Sequence, residues 1–264
     1  MKRVAVGAYA GFAYLLFLTA IVWAVLFLAD LGGLKTIDSG RGSPGSGAPA
    51  LAVDGGLLGL FALQHSLMAR RSFKRAFTQL VPAPLERSTY VLLASAILLC
   101  LVWQWRPMPA VVWHLRWAPA AAALTAVSVL GWLIVVSSTF MINHFDLFGL
   151  RQAYLFIRSQ AYRPVDFKER WLYALVRHPM MLGLVIAFWA TPTMSAGHLL
   201  FATASTAYIG LGTMLEERDL RQSLGATYLD YAKRIPAFIP RPGQPGRPGA
   251  SRGLGWQLGS STED

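Results

Sequence analysis

The sequence predicts an all-α, polytopic integral membrane protein with four full spans and a C-terminal helical hairpin, five to six transmembrane helices in all. Two observations carry that expectation. Hydrophobic residues make up 55% of the 264 and the mean hydropathy is +0.44, in runs too long for the core of a soluble domain. The Lys and Arg residues, which give a net charge of +11, fall between those runs. That spacing fits the positive-inside pattern and argues against a nucleic-acid-binding face.

Lys2 and Arg3 precede residues 7–29, an uncharged stretch long enough to cross a hydrocarbon core of about 30 Å. Its length, with no small-residue cleavage site, favours a span over a cleaved signal peptide. Residues 39–50, SGRGSPGSGAPA, read as a flexible loop. The second span covers residues 50–69, with Asp54 near its outer end, Gln64, His65 and Ser66 near its inner end, and Arg70, Arg71, Lys74 and Arg75 beyond. Span three is residues 89–105, and Trp103, Trp105, Trp113 and Trp117 mark the outer headgroup layer. Residues 118–140 form span four, which runs into the polar series Ser137, Ser138, Thr139, Asn143, His144 and Asp146. The single cysteine, Cys100, lies inside an apolar run, so no intrachain disulfide is expected.

By this topology 20 of the Lys and Arg residues lie on one side and 4 on the other, which predicts that both termini are cytoplasmic. Residues 179–190 are too few to cross a bilayer alone, reaching only about 18 Å as a helix. The 179–215 hairpin therefore dips partway or crosses a thinned bilayer, and either path returns His178 and Glu216 to the same face. Residues 1–240 read as a single domain and 241–264, rich in Gly and Pro, as a disordered tail.

The polar residues at the inner ends of the spans are the candidates for chemistry, because ionisable groups at membrane depth are costly. Pro179 suits the first position of a helix and leaves His178 at the cap. The helix N-terminus there is a site for an anion, and Arg177 adds a full positive charge. Glu216 and Glu217 are expected where a helix finishes, an unfavourable place for acids that suggests a cationic partner. The competing expectation is an ion pair between Glu217 and Arg221 one turn on. Three histidines, His65, His144 and His178, share this face with Asp146, but no tight ligand spacing such as HExxH accompanies them, so no metal is expected. There is no phosphate-binding Walker loop, dinucleotide glycine fingerprint or paired-cysteine motif.

RHPMMLG, EERDL and LGATYLDYAKRIPAFIP, in that order within residues 171–240, resemble the C-terminal cofactor region of the isoprenylcysteine carboxyl methyltransferase and NnrU-related membrane proteins. SSTFMINHFDLFGLRQAY (137–154) and ALQHSLMARRSFKR (62–75) are similar to the bacterial thiol-methylating branch of that group, although this chain carries Met181 where relatives often have an aromatic ring. The resemblance implies S-adenosylmethionine as methyl donor and a small thiol acceptor, most specifically methanethiol giving dimethyl sulfide, with the lipid bilayer as surroundings and no nucleic acid. It leaves open a larger, prenylcysteine-type acceptor, a non-catalytic accessory role, and a nicotinamide nucleotide in place of the donor. Under it, Arg177, His178, Pro179 and Gly183 with one of Glu216 and Glu217 hold the donor, and Tyr228 or Tyr231 shelters its adenine or ribose. Gly183 equally suits helix packing, and the tyrosines equally suit a surface helix. Methyl transfer to sulfur needs a thiolate. His144 and Asp146 are the first candidates for forming it, with His65 and Arg151 second, unless His144 and Asp146 simply pair with each other.

Overall fold

The computed structural model describes residues 2–31, 35–39, 47–163, 166–167, 171–240 and 254–255. In chain order these form α1 (Arg3–Leu28), α2 (Ala48–Ala69), the short α3 (Arg71–Phe77), α4 (Ala83–Gln104), strand β1 (Val111–His114), α5 (Ala118–Ile142), the short α6 (His144–Leu147) and α7 (Leu150–Ile157), β2 (Asp166–Phe167), α8 (Pro179–Trp189), β3 (Thr193–Ser195), α9 (Ala196–Leu224), α10 (Ala226–Arg234) and β4 (Leu254–Gly255). Helices α1, α2, α4, α5 and α9 are long and apolar enough to cross a membrane. The hairpin is thus one full-length helix, α9, preceded by an 11-residue one, α8, about 16 Å long. Large apolar side chains such as Leu15 (63% exposed) and Leu133 (57%) face outward, as a lipid-embedded surface requires. The 39–50 loop falls mostly outside the described residues, and its last positions already belong to α2. The tail also lies outside them, apart from Leu254–Gly255 paired with Asp166–Phe167.

Local sequence chemistry sets the helix boundaries. Proline stands in the first turn of α2, α4, α5 and α8, where its missing N–H removes no helical bond. Ser195 caps α9 by accepting from the His198 N–H at 3.1 Å. Gly225, with φ +54°, ends α9 and starts α10. Gly149, with φ +88°, lets the turn into α7 press on buried Ser88 of α4, where a Cβ would come within 2.5 Å of the Ser88 hydroxyl.

Small residues allow the helices to approach. α1 turns Ala10, Ala13, Ala20 and Ala24 inward, and α4 meets it with Ser88, Val91 and Ser95. α5 and α8 cross at Gly131 and Gly183, where a Cβ on either would lie 2.7 Å from the other's carbonyl oxygen. Trp105 is buried between Phe27 and Phe201, near the ends of α1 and α4 and the start of α9. There β1 pairs antiparallel with β3, tying the α4–α5 connection to the α8–α9 turn. The helices alternate in direction. The starts of α1, α4 and α8 and the ends of α2, α5 and α9 therefore share one end of the bundle, called the basic end because most of the Lys and Arg residues lie there.

Candidate functional site

At the basic end the start of α8 meets the last third of α9 under α10. His178 is the N-cap of α8, and its carbonyl accepts the first helical bond, from Leu182 N–H at 3.0 Å. The N–H groups of Met180 and Met181 lie ahead of that bond and have no helical partner. The chain beyond α10 folds back over this cap: Arg177 and His178 donate their backbone N–H groups to Pro236 and Ala237 carbonyls at 2.9 and 3.1 Å, and Phe238 lies 5.8 Å from the His178 ring.

The acids do not sit at a helix end, contrary to the sequence expectation. α9 continues past Glu216 and Glu217 for two more turns, because Leu-Arg-Gln-Ser-Leu is good helix-forming sequence and nothing before Gly225 stops it. Glu217 is consumed internally: it accepts from Arg177 Nε at 2.9 Å and from Nη2, from His178 Nε2 at 3.2 Å and from Arg221 at 3.0 Å. Arg177 is equally committed, since Nη1 also donates to the Ala232 and Ile235 carbonyls. Arg177, expected to add a positive charge for a ligand, thus has its guanidinium bound within the protein. Glu216 is different. Its side chain is 44% exposed and lies 3.8 Å from His178 Nδ1. A shallow cleft of about 480 Å³ lined by Met214, Glu217, Arg218, Arg221 and Gln222 opens on another face of α9, and Glu216 is not part of its lining.

The remaining residues assigned to the donor separate. Pro179 is buried at the cap, while Gly183 lies a turn further along and is filled by the α5 crossing, so its lack of a side chain serves packing. The Tyr231 hydroxyl donates to the Tyr173 carbonyl at 2.9 Å. The Tyr228 hydroxyl is buried close to Arg177, and burial, followed by the nearby Glu217 charge, pushes its pKa up to about 12. Burial and Glu216 likewise push the Tyr173 phenol up. Thr213, one turn before the acids on α9, has a buried hydroxyl with no hydrogen-bond partner among the described residues.

His144 and Asp146 do not pair with each other. Thr139 Oγ1 donates its proton to the Val136 carbonyl at 2.7 Å, so towards His144 Nδ1, at 2.8 Å, it accepts. His144 Nε2 is then the acceptor for the Tyr14 hydroxyl at 2.7 Å. The ring stacks on Phe140 at 4.3 Å, and burial holds its pKa below the ordinary value of 6.5. Asp146 accepts from Arg151 at 2.9 Å and from the Tyr162 hydroxyl at 3.1 Å, whose pKa burial and then Asp146 push up to about 12. His144, Asp146 and Arg151 therefore all have internal partners.

His65 lies apart from both groups, between α2, α4 and α9. Its Nε2 is 2.9 Å from the Tyr90 hydroxyl, its ring stacks on Phe61, and Tyr208 stands edge-on. Two residues that sequence reading passed over complete this cluster: Tyr90 and, one turn before it, Arg87, whose Cζ lies 5.5 Å from the Tyr90 ring centre while Nε donates to the Leu147 carbonyl at 2.8 Å. Charge counting placed Arg87 on the basic face but gave no reason to separate it from its neighbours. Among the described residues no group of three or more His, Cys, Asp or Glu side chains is arranged to hold a metal ion.

Comparison with known proteins gives a consistent grouping. The family model described as NnrU protein matches residues 55–216. The methanethiol S-methyltransferase of Mycobacterium tuberculosis is 50% identical over 242 residues, 92% of this chain and 98% of that protein. The methanethiol S-methyltransferase of Crocosphaera subtropica is 44% identical, covering 91% and 93%. Human nurim is more distant, at 35% over 65% of this chain and 68% of its own length. No solved structure matches. With the family model spanning most of its membrane-embedded length and relatives aligned almost end to end, the chain belongs to the NnrU protein family.

Proposed function

We propose that this chain is a membrane-embedded S-methyltransferase that methylates methanethiol to dimethyl sulfide, with S-adenosylmethionine as donor. The observation that carries the reading is near-full-length similarity, at 44 to 50% identity, to proteins named methanethiol S-methyltransferase. The site at the basic end supports the donor assignment: the Glu216 side chain is partly exposed, the first N–H groups of α8 have no helical partner, and Thr213 keeps a buried hydroxyl that is unpartnered among the described residues. S-adenosylmethionine supplies a methyl group on a sulfonium, together with a carboxylate, an ammonium and an adenosine.

In this reading the Met180 and Met181 N–H groups hold the carboxylate, Glu216 holds the ammonium and Tyr228 bonds the adenosine. Glu217 and Arg177 keep the α8 cap against α9, so that the N–H groups and Glu216 face one ligand. Both termini and the donor site lie on the cytoplasmic side. Methyl transfer to sulfur asks the protein chiefly for position and charge. It also asks for an ionised acceptor, since an alkanethiol is mostly protonated at neutral pH.

The experiment is a binding titration of the purified chain with S-adenosylmethionine and with NADPH, followed by headspace detection of dimethyl sulfide from methanethiol. Saturable binding of S-adenosylmethionine and product formation are expected. Binding of NADPH alone, or donor binding without product, would replace this reading with a reductase or an accessory role.

A further inference from the structure

The side of α9 turned away from Glu216 changes character as the helix leaves the membrane. Its 29 residues span about 43 Å, against a hydrocarbon core of about 30 Å, so the stretch from Glu216 onward stands beyond the hydrocarbon at the basic end. Leu211, Met214, Arg218 and Arg221 follow one another at intervals of three and four residues, with Gln222 four beyond Arg218, and therefore share one side of the helix. Leu211 and Met214 are exposed, as side chains facing lipid are. Glu216 lies about 160° round the axis from Arg218. An apolar stripe thus turns cationic at the level where hydrocarbon gives way to headgroups.

The shallow cleft of about 480 Å³ opens at that level, where Met214, Glu217, Arg218, Arg221 and Gln222 line one common space. The exposed side chains of Arg218 and Gln222 have no hydrogen bond or ion pair among the described residues. Glu217 is the carboxylate of the lining, and its charge is already shared by Arg177 and by Arg221, the latter at 3.0 Å. Asp219, next to Arg218, lies 3.8 Å from Arg70 of α2 and is offset by it. Arg177, Arg218 and Arg221 therefore meet the single charge of Glu217, which leaves the cleft with an excess of positive charge. Its volume falls within the range of small-molecule sites, about 300–1,000 Å³, enough for a headgroup while acyl chains stay outside.

We propose that this cleft binds one anionic phospholipid of the surrounding membrane: Arg218 and Arg221 hold its phosphate, Gln222 bonds the headgroup, and an acyl chain lies along Met214 and Leu211. Guanidinium groups present paired N–H donors that match phosphate oxygens, and basic side chains at the membrane boundary attract anionic lipids. A soluble phosphate would use the two arginines and leave the apolar half of the stripe unused, so the continuity of the stripe selects a lipid. Arg221 also touches Glu217, which fastens Arg177 at the α8 cap. The lipid thus sits one ion pair away from the junction of α8 with α9, and its occupancy should stabilise the folded chain.

The test is native mass spectrometry of the full-length chain released from detergent micelles that contain dioleoylphosphatidylglycerol or dioleoylphosphatidylcholine. The parent should retain one phosphatidylglycerol about 25-fold more tightly than phosphatidylcholine, about fivefold for each arginine. Arg218→Gln should cut that preference about fivefold, and the double variant Arg218→Gln, Arg221→Gln should abolish it. Retention of phosphatidylcholine, which asks for no excess cation, should match the parent in both and so reports that the fold is intact. Arg75→Gln with Arg158→Gln removes the same charge from exposed positions elsewhere at the basic end and should leave the preference unchanged. A large excess of sn-glycerol 3-phosphate, which carries the phosphate without acyl chains, should not displace the lipid. Equal retention of the two lipids by the parent, or an unchanged preference in Arg218→Gln, overturns the site. An equal loss in the Arg75 and Arg158 variant would show diffuse attraction in its place, and displacement by sn-glycerol 3-phosphate would show a site for free phosphate.

Discussion

Arg177 and Glu217, 40 positions apart in sequence, are joined by a guanidinium that reaches one carboxylate oxygen from Nε, at 2.9 Å, and from Nη2. The same guanidinium binds the Ala232 and Ile235 carbonyls, so a single ion pair fastens α8, α9 and the end of α10 together. The two adjacent glutamates therefore have different roles and different mutational signatures.

Glu217→Ala leaves a largely buried Arg177 without its anion, which costs about 3 kcal/mol or more. A marked fall in thermal stability in detergent is expected, with donor affinity lost as a consequence. Glu216→Gln should melt like the parent and bind S-adenosylmethionine at least tenfold more weakly by calorimetry. The opposite assignment of the two effects would show that Glu217 is the ligand.

Tyr228→Phe removes a buried hydroxyl that lies against Arg177, so stability should change little. Donor affinity should fall about fivefold to tenfold, the usual worth of one neutral hydrogen bond. Unchanged affinity by the same calorimetric measurement would take Tyr228 out of the donor site.

Gly183→Ala places a methyl group 2.7 Å from the Gly131 carbonyl, against backbone that cannot yield without moving α8 from α5. A loss of about 1–3 kcal/mol is expected from overpacking. Thermal melts that match the parent would show that the crossing has slack.

His144 gives a pH-dependent contribution to stability with a definite sign. Because burial lowers its folded-state pKa below 6.5, the unfolded chain binds the proton more readily, and stability falls as pH drops through about 6.5. The loss is complete below the folded-state value. His144→Gln removes this component, so its melting temperature should change less than the parent's between pH 7.5 and 5.5. An equal or steeper change would mean that the imidazole is not held neutral.

Reporter fusions after residues 45 and 240 should label opposite sides of the membrane, with the second cytoplasmic. Labelling on the same side would contradict the assignment made from charge distribution.

Much of the architecture was legible because hydropathy reports directly on where lipid surrounds the chain. The starts of α2, α4, α5 and α8 were further marked by proline. Hydropathy does not report where a helix ends in water, and reading the Glu-Glu-Arg run as a terminus confused the two. The helix-forming quality of residues 218–224 and the glycine at 225 were the better guide. The pairing of Glu217 with Arg221 was readable from their spacing, whereas its pairing with Arg177 depends on how α8 packs on α9. The same holds for His144: Tyr14, which takes its lone pair, lies 130 positions away. Tyr90 and Arg87 stand one turn apart on α4, yet only the three-dimensional arrangement sets them against His65.

The β1–β3 ladder holds the turn of the hairpin, opposite the basic end, by main-chain hydrogen bonds, reinforced by Trp113 Nε1 donating to the Thr191 carbonyl at 3.2 Å. A pair of rods riveted at one tip can part only at the other, like tongs. Any breathing of α8 against α9 is thereby confined to the end where Glu216 lies.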